Sequence, residues 1–268
     1  LRDLGHIDLN EPFNGLFTQG MVTHRTFKNK NNEWVSPDDV TQSRHRFFDN
    51  SKNEIMIGKT EKMSKSKKNV VDPTTIIQTY GADTARWFML SDSPPDRDLE
   101  WTESGVSSSF KLINKVWDLL KETQSKKTKN KHDSKEDNNF LVEATNIAIE
   151  NVTKNIENFH YNKAIANIYE FVNSIQKSIK NKTASSKLLL ETFKKLALLL
   201  QPFTPHLSEE MWKELNMNGL VINHSWPKFS TNIKKTSYKI AIQIDGKTKQ
   251  IIEFNNASNE EDVRVKAL

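Results

Sequence analysis

The residues most able to do chemistry are Lys62-Met63-Ser64-Lys65-Ser66, set inside the basic stretch Lys59 to Lys68. Two ammonium groups and two hydroxyls fall within five positions. Such a set suits attack on the α-phosphate of ATP with loss of pyrophosphate. Negative charge builds on phosphate oxygens during that step, and an ammonium donor that moves in then stabilises the transition state selectively. Lysine fits the task because it is a compact charge on a flexible stem. A basic surface patch with no ligand is the competing reading, so the pentapeptide has to be judged by the elements around it.

Those elements place the stretch between a strand and a helix. Glu54 to Gly58 reads as a short strand, and the basic residues follow at once. Beyond them, Asp72 is an N-cap, Pro73 the first helical residue, Ile76, Ile77 and Tyr80 the apolar face, and Gly81 the stop. A Gly-flanked turn at a strand end is where α/β folds bind nucleotides. Upstream, the apolar run Leu16 to Val22, interrupted by Gly20, predicts a buried strand end. Phe27 to Asn53 is rich in Asn, Lys, Asp and Ser, with Trp34, Phe47 and Phe48 scattered through it, and predicts a polar insertion rather than a core element. Past Gly81 a second helix runs through Ala85, Phe88 and Met89. Pro94-Pro95 breaks it, and Leu99-Glu100-Trp101 leads on.

Four amphipathic stripes follow. They are Val106, Phe110, Ile113, Trp117 and Leu120; Phe140, Ala144, Ala148, Val152 and Ile156; Ile165, Ile168, Val172, Ile175 and Ile179; and Leu189, Phe193, Leu196 and Leu200. Each stripe needs partners to leave water, so the four predict a helical bundle. Trp87-Phe88, Trp117, Trp212 and Trp226 could stack on bases, but most sit on such stripes and read as packing. The Lys-rich tract within 125–137 reads as a solvated loop. Pro202 and Pro205 force a turn before a short helix with Leu207, Met211 and Leu215, in which His206 is a helix-start residue. The period then changes. Tyr238, Ile240, Ile242 and Ile244 alternate, Asp245-Gly246 makes a hairpin turn, Lys249 to Phe254 returns, and Ser258 with Glu261 forms a capping box.

Composition narrows the classes. In 268 residues, 35% hydrophobic and 27% charged, there is material for two or three domains. The absence of cysteine removes disulfides, thiolate metal sites and cysteine nucleophiles. No apolar run is long enough for a bilayer, so the default compartment is soluble and reducing. A net charge of +5 favours a polyanionic partner without demanding one.

Lys62 to Ser66 resembles the second signature of class I aminoacyl-tRNA synthetases. The continuation Asp72-Pro73, Tyr80-Gly81-Ala82-Asp83-Thr84, Arg86, Ser93-Pro94, Leu99-Glu100-Trp101 and Gly105 resembles bacterial leucyl-tRNA synthetases in particular. Thr18-Gln19-Gly20-Met21, Gln201-Pro202-Phe203-Thr204-Pro205-His206 and Ile242-Gln243-Ile244-Asp245-Gly246-Lys247 are similar to segments of the same family. The resemblance implies a mainly α fold with α/β parts. Its expected pieces are a C-terminal remnant of a Rossmann-type catalytic core over 1–80, with a leucine-specific-type insertion at 25–57; a stem-contact helical connector at 81–104; a helical-bundle anticodon-binding domain at 105–228; and a truncated α+β tRNA-binding domain at 236–268. It further implies that Lys65 contacts the ATP phosphates with Lys62 assisting, and that Met63, Ser64 and Ser66 help hold the nucleotide. Mg2+ is expected to arrive with ATP, and no protein metal site is expected. The partners implied are tRNA(Leu), leucine and ATP, for a cytoplasmic monomer that joins leucine to tRNA by way of leucyl-adenylate.

The chain departs from that pattern in lacking a His-Ile-Gly-His element. Gly5-His6-Ile7-Asp8 has no second histidine, and His6 reads as a surface residue. A fragment inactive on its own is therefore expected. An isoleucyl, valyl or methionyl relative, or a non-catalytic tRNA-binding module with a vestigial loop, remain open on the sequence. In the intact enzyme, Lys65→Ala should slow amino-acid activation roughly a hundredfold to a thousandfold, as removal of one preorganised transition-state donor does elsewhere. Pyrophosphate exchange measures it, and a near-parental rate would refute the role.

Overall fold

The chain starts with an exposed turn over residues 2–6 and becomes regular only at β1 (Val22–Lys28). The computed structural model describes residues 1–11, 13–44, 46–125, 135–230, 237–244, 247–255 and 260–267. With β2 (Trp34–Val35), β3 (Val40–Ser43), β4 (Arg46–Asp49) and β5 (Glu54–Lys62), β1 makes an antiparallel sheet in the order β2-β1-β5-β4-β3. A short β6 (Leu99–Glu100) joins β1 in parallel.

Three features here go beyond or against expectation. The run Leu16 to Met21 is neither strand nor buried: Leu16 is 91% exposed, and Gly20 and Met21 are held through their backbone. The Gly20 N–H donates to Pro95 O at 2.9 Å, and the Met21 N–H to Asp98 Oδ1 at 2.8 Å. Of its apolar side chains Phe17 stacks on Phe159, ring centroids 5.0 Å apart, while Leu16 and Met21 stay exposed. Gly20 lies so close to the backbone of Arg97 and Asp98 that a Cβ has no room.

The polar insertion, secondly, is built of strands, a form its composition left open. Of its apolar residues, Phe27 and Ile55 are buried, and Phe27 packs on Phe47 with ring centroids 5.7 Å apart. Ladder hydrogen bonds satisfy the backbone of a segment too polar to make a core of its own. Thirdly, β5 runs through Lys62 instead of ending near Gly58, because β1 pairs with it as far as Thr23 opposite Lys62. Part of the expected basic loop is therefore strand.

The helix signals after the loop hold. Asp72 Oδ1 accepts from the Thr74 N–H at 2.8 Å, α1 spans Pro73–Tyr80, and Gly81 ends it at φ +84°. Ile76 and Tyr80 face the interior, but Ile77 is exposed. In α2 (Ala82–Ser91), Met89 is exposed and the buried face is Asp83, Thr84, Trp87 and Phe88. Successive helical residues point about 100° apart. Trp87 accordingly enters the bundle core, whereas Phe88 enters a smaller core with Leu99, Trp101 and Val106, joined by Met63, Val71, Ile76 and Tyr80.

The bundle comprises α3 (Glu103–Ser125), α4 (Lys135–Glu157), α5 (Tyr161–Asn181), α6 (Ser186–Leu200) and α7 (Pro205–Glu214). The stripes of α5 and α6 are buried as expected. Those of α3 and α4 are met in part: Val106, Leu120, Ala148 and Val152 are buried as expected, and Leu112, Val116, Leu119, Leu141 and Ile149 are buried beside them, whereas Ile113, Trp117 and Ile156 are half-buried and Phe110 and Phe140 are exposed. Hydroxyl residues complete these faces. Ser109, Thr123 and Thr145 are buried and donate to the carbonyls of Gly105, Leu119 and Leu141 at 2.9, 2.9 and 2.6 Å. A hydroxyl satisfied within its own helix tolerates burial and leaves no mark in a count of apolar residues.

Of the other tryptophans, Trp212 is buried in the bundle, but Trp226 lies outside any helix, partly exposed, its Nε1–H donating to Thr153 Oγ1 at 2.7 Å. A hairpin of β7 (Ser237–Ile244) and β8 (Lys247–Asn255) and a last helix α8 (Glu260–Ala267) complete the chain. The expected turn Asp245-Gly246, the cap residue Ser258 and positions 126–134 of the Lys-rich tract lie outside the described residues. No helix among the described residues is long and apolar enough to cross a membrane. Trp87→Ala should cost about 3–5 kcal/mol by emptying a fully buried site, against under about 0.5 kcal/mol for the exposed neighbour Met89→Ala. Denaturant unfolding of the two variants measures both.

Candidate functional site

The basic pentapeptide sits where β5 leaves the sheet. Lys62 is the last strand residue, and the Met63 N–H still donates to Val22 O at 3.2 Å. The Met63 side chain turns into the smaller core, so it anchors the loop from within. Ser64 then caps a single 3-10 turn over Lys65–Lys67, accepting from the Lys67 N–H at 3.4 Å, with the Ser66 hydroxyl 3.3 Å from its own. Lys68, at φ +53°, closes the turn by donating its N–H to Lys65 O at 3.2 Å.

Beneath the turn lies Asn69, completely buried. Its Oδ1 accepts from the Ser64 N–H at 2.8 Å, and its Nδ2 lies 3.2, 3.2 and 3.3 Å from the carbonyl oxygens of His24, Glu61 and Lys62. This residue carries no sequence signal of its own, since an Asn after two lysines reads as an ordinary turn residue. Only the two strands and the turn around it give it a task.

The loop's charges divide into two sets. Lys67 is ion-paired with Glu61 of β5, which ties the turn to its strand. Lys62 and Lys65 are exposed and form no ion pair with a described residue. Ser66 and Lys68 form one wall of a groove of about 630 Å³ whose other side is the insertion, with Trp34, Asp39 and Asp49. The arrangement therefore presents two ammonium groups and two hydroxyls, unneutralised, on a short turn with a rigid base. Its chemistry is the binding of a polyanion such as a phosphate chain.

Behind the loop, β6 is stitched to the sheet by Glu100. Its Oε1 accepts from Arg25 Nε at 3.3 Å and from Thr60 Oγ1 at 3.1 Å. His24 lies beside these residues with Nδ1 buried and unpartnered. Burial holds its pKa below the ordinary imidazole value, against the opposing pull of the Asn69 backbone and Glu100. His6 lies in an exposed turn at the chain start. His206 is, as expected, a helix-start residue of α7, its Nδ1 lying 3.2 Å from Asp83 Oδ1. The described residues contain no cluster of three or more His, Asp or Glu that could hold a metal ion.

Comparison with known proteins gives this geometry a context. The family described as "tRNA synthetases class I (I, L, M and V)" matches residues 52–102, and "Anticodon-binding domain of tRNA ligase" matches residues 138–265. A leucine–tRNA ligase of Rickettsia bellii is 38% identical over 98% of this chain and 31% of its own length. One from Zymomonas mobilis is 39% identical over 94% of this chain and 29% of its own. Among solved structures, the LeuRS of Agrobacterium radiobacter, in a ternary complex with tRNA and LeuAMS, matches with a TM-score of 0.66 and 27% identity. That match covers 99% of this chain and 30% of that one. A methionyl-tRNA synthetase of Mycobacterium tuberculosis, 20% identical over 58% of this chain and 36% of its own, with a TM-score of 0.52, shares the fold alone. The chain is thus homologous to leucine–tRNA ligases along almost all of its length, and it spans about a third of the length of the curated relatives it matches.

A pH dependence follows from His24. Its folded pKa is depressed, so the folded state binds a proton less readily than the unfolded chain, whose imidazole titrates near about 6.5. Stability is full above that value and is lost as pH falls through the folded one. The unfolding midpoint should drop between about pH 7.5 and pH 5.5, and His24→Gln should show a smaller drop over the same interval. Equal drops in the two proteins would show that His24 is not the sensor.

Proposed function

We propose that this chain, homologous throughout to leucine–tRNA ligases, is the part of such an enzyme that carries the ATP-contacting signature loop and the tRNA-holding bundle. The intact enzyme activates leucine with ATP to leucyl-adenylate and pyrophosphate, then passes leucine to tRNA(Leu). The observation that carries this reading is the exposed, unneutralised pair Lys62 and Lys65 on a turn clamped at the sheet end, in a chain whose similarity to these ligases runs from that turn through the bundle.

In this reading Lys65 meets the ATP phosphates as charge develops on them and Lys62 supports it from the strand end. Ser64 and Ser66 offer hydroxyls to the nucleotide. Met63 contributes through its backbone, because its side chain is committed to the core. Mg2+ would travel on the phosphates of ATP rather than in a cage made by these residues, as is usual for that ion.

Residues 1–80 then form the end of the catalytic core, with 25–57 inserted in it, and 81–104 form the connector. Residues 105–228 make the bundle, and 236–268 open a further tRNA-binding domain. The leucine pocket and the histidine element would be supplied by other parts of the enzyme. The assembly is proposed to work as a cytoplasmic monomer.

The test is pyrophosphate exchange by the full-length protein containing this chain, with leucine and separately with isoleucine, valine and methionine. Exchange is expected with leucine at a rate at least about a hundredfold above the other three, the scale that one or two mismatched methylenes in a pocket provide. Exchange driven best by another of the four reassigns the substrate, and exchange with none overturns the enzymatic reading.

A further inference from the structure

We infer that Asn69 is a positioning residue for the signature loop, holding Lys65 in register with the sheet through a single buried amide; the inference rests on the reading above that Lys65 meets the ATP phosphates. Asn69 shows no exposed surface, and its one side chain touches three separate pieces of backbone. Nδ2 reaches the carbonyl oxygens of His24 on β1 and of Glu61 and Lys62 on β5, and Oδ1 takes the N–H of Ser64 in the loop.

The orientation of the amide follows from these partners. Nδ2 faces three carbonyl oxygens, between which its two hydrogens are shared, and Oδ1 faces one N–H, so the flipped amide would set an oxygen against three oxygens. The bond from Ser64 to Asn69 closes a ring of six residues with the 3-10 turn inside it, and Lys65 is the residue next to Ser64. Lys65 rides on that ring. Its ammonium can reach a phosphate reproducibly only if the ring leaves the sheet at a fixed point, and the Asn69 amide defines that point. The Lys67–Glu61 ion pair also restrains the ring, but from the half-exposed surface, where an ion pair contributes little.

The experiment uses the full-length protein and measures leucine-dependent pyrophosphate exchange for Lys65→Ala, Asn69→Ala, Asn69→Asp and the two double variants. Misplacing a reacting group by about 1 Å can cost on the order of a hundredfold. Asn69→Ala should therefore lower kcat by about tenfold to a hundredfold, with KM for leucine changed less than about twofold. Asn69→Asp, similar in size and able to accept from Ser64, turns its second oxygen towards three carbonyls and should be at least as slow. In the Lys65→Ala background, where the ammonium that the ring positions is gone, either change should cost less than about threefold, the non-additivity expected of groups that act as a unit.

A kcat within about threefold of the parent for both Asn69 variants, or a loss equally large with and without Lys65, overturns the inference and leaves Asn69 as a packing residue. If Asn69→Ala does not fold, the aspartate cycle reads the same coupling. A parental rate for Lys65→Ala overturns the inference together with the reading it rests on. An impaired Lys65→Ala beside an unaffected Asn69→Ala removes this inference alone.

Discussion

Trp87 and Phe88 are neighbours in sequence and members of different hydrophobic cores, and this two-sided burial of α2 is the constraint on which the rest of the structure depends. Trp87 packs at 6.0 Å from Phe203 and 5.7 Å from Tyr169 in the bundle. Phe88 packs at 5.1 Å from Trp101, in the cluster that also receives Met63 from the signature loop. Polar ties run along the same helix. The buried Asp83 carboxylate accepts from the Leu207 N–H at 2.7 Å and the His206 N–H at 3.3 Å, so it caps α7 at the end where the helix dipole favours a negative charge. Arg86 donates to the carbonyls of Pro202 and Phe203 at 2.9 and 3.3 Å. One helix of ten residues thereby joins the sheet that bears the loop to the helices that make the bundle.

The loop itself is built on an asymmetry between base and tip. Its base is packed and held by hydrogen bonds: Met63 in the core, Asn69 beneath the turn, β1 and β6 alongside. Its tip carries cations that no described residue neutralises. Exposed lysines cost little in stability and keep their charge for a ligand, whereas a buried pair would need its desolvation offset. Gly105 extends the logic to the connector. Its Cα lies against the Phe88 ring with no room for a side chain, so the start of α3 can press onto α2.

What could be read from the sequence was what a few adjacent residues encode. Asp72, Pro73 and Gly81 bound α1 because cap chemistry is local. The stripes of α5 and α6 recur every three or four residues, and the bundle buries them. The signature pentapeptide stood out because its residue types are its chemistry. The faces of α3 and α4 were legible only in part, at Val106, Leu120, Ala148 and Val152, because hydroxyls bonded within the helix take buried places there. The expected burial of Leu16 to Met21 failed because a hydrophobic run is buried only where enough packs on it, and here a single ring, Phe159, meets Phe17.

The tertiary structure alone decided the length of β5, the sheet made by the polar insertion, the split of Trp87 and Phe88 between two cores, and the task of Asn69. In each case the deciding partner is distant in the chain: Thr23 opposite Lys62, Phe47 against Phe27, Phe203 and Trp101 on either side of α2, and His24 above Asn69. The sequence alone determined helix ends, periodicity and the charges of the loop, since these depend on neighbours along the chain. Strand pairing and burial depend on neighbours in space, and no spacing of residue types records which of those will meet.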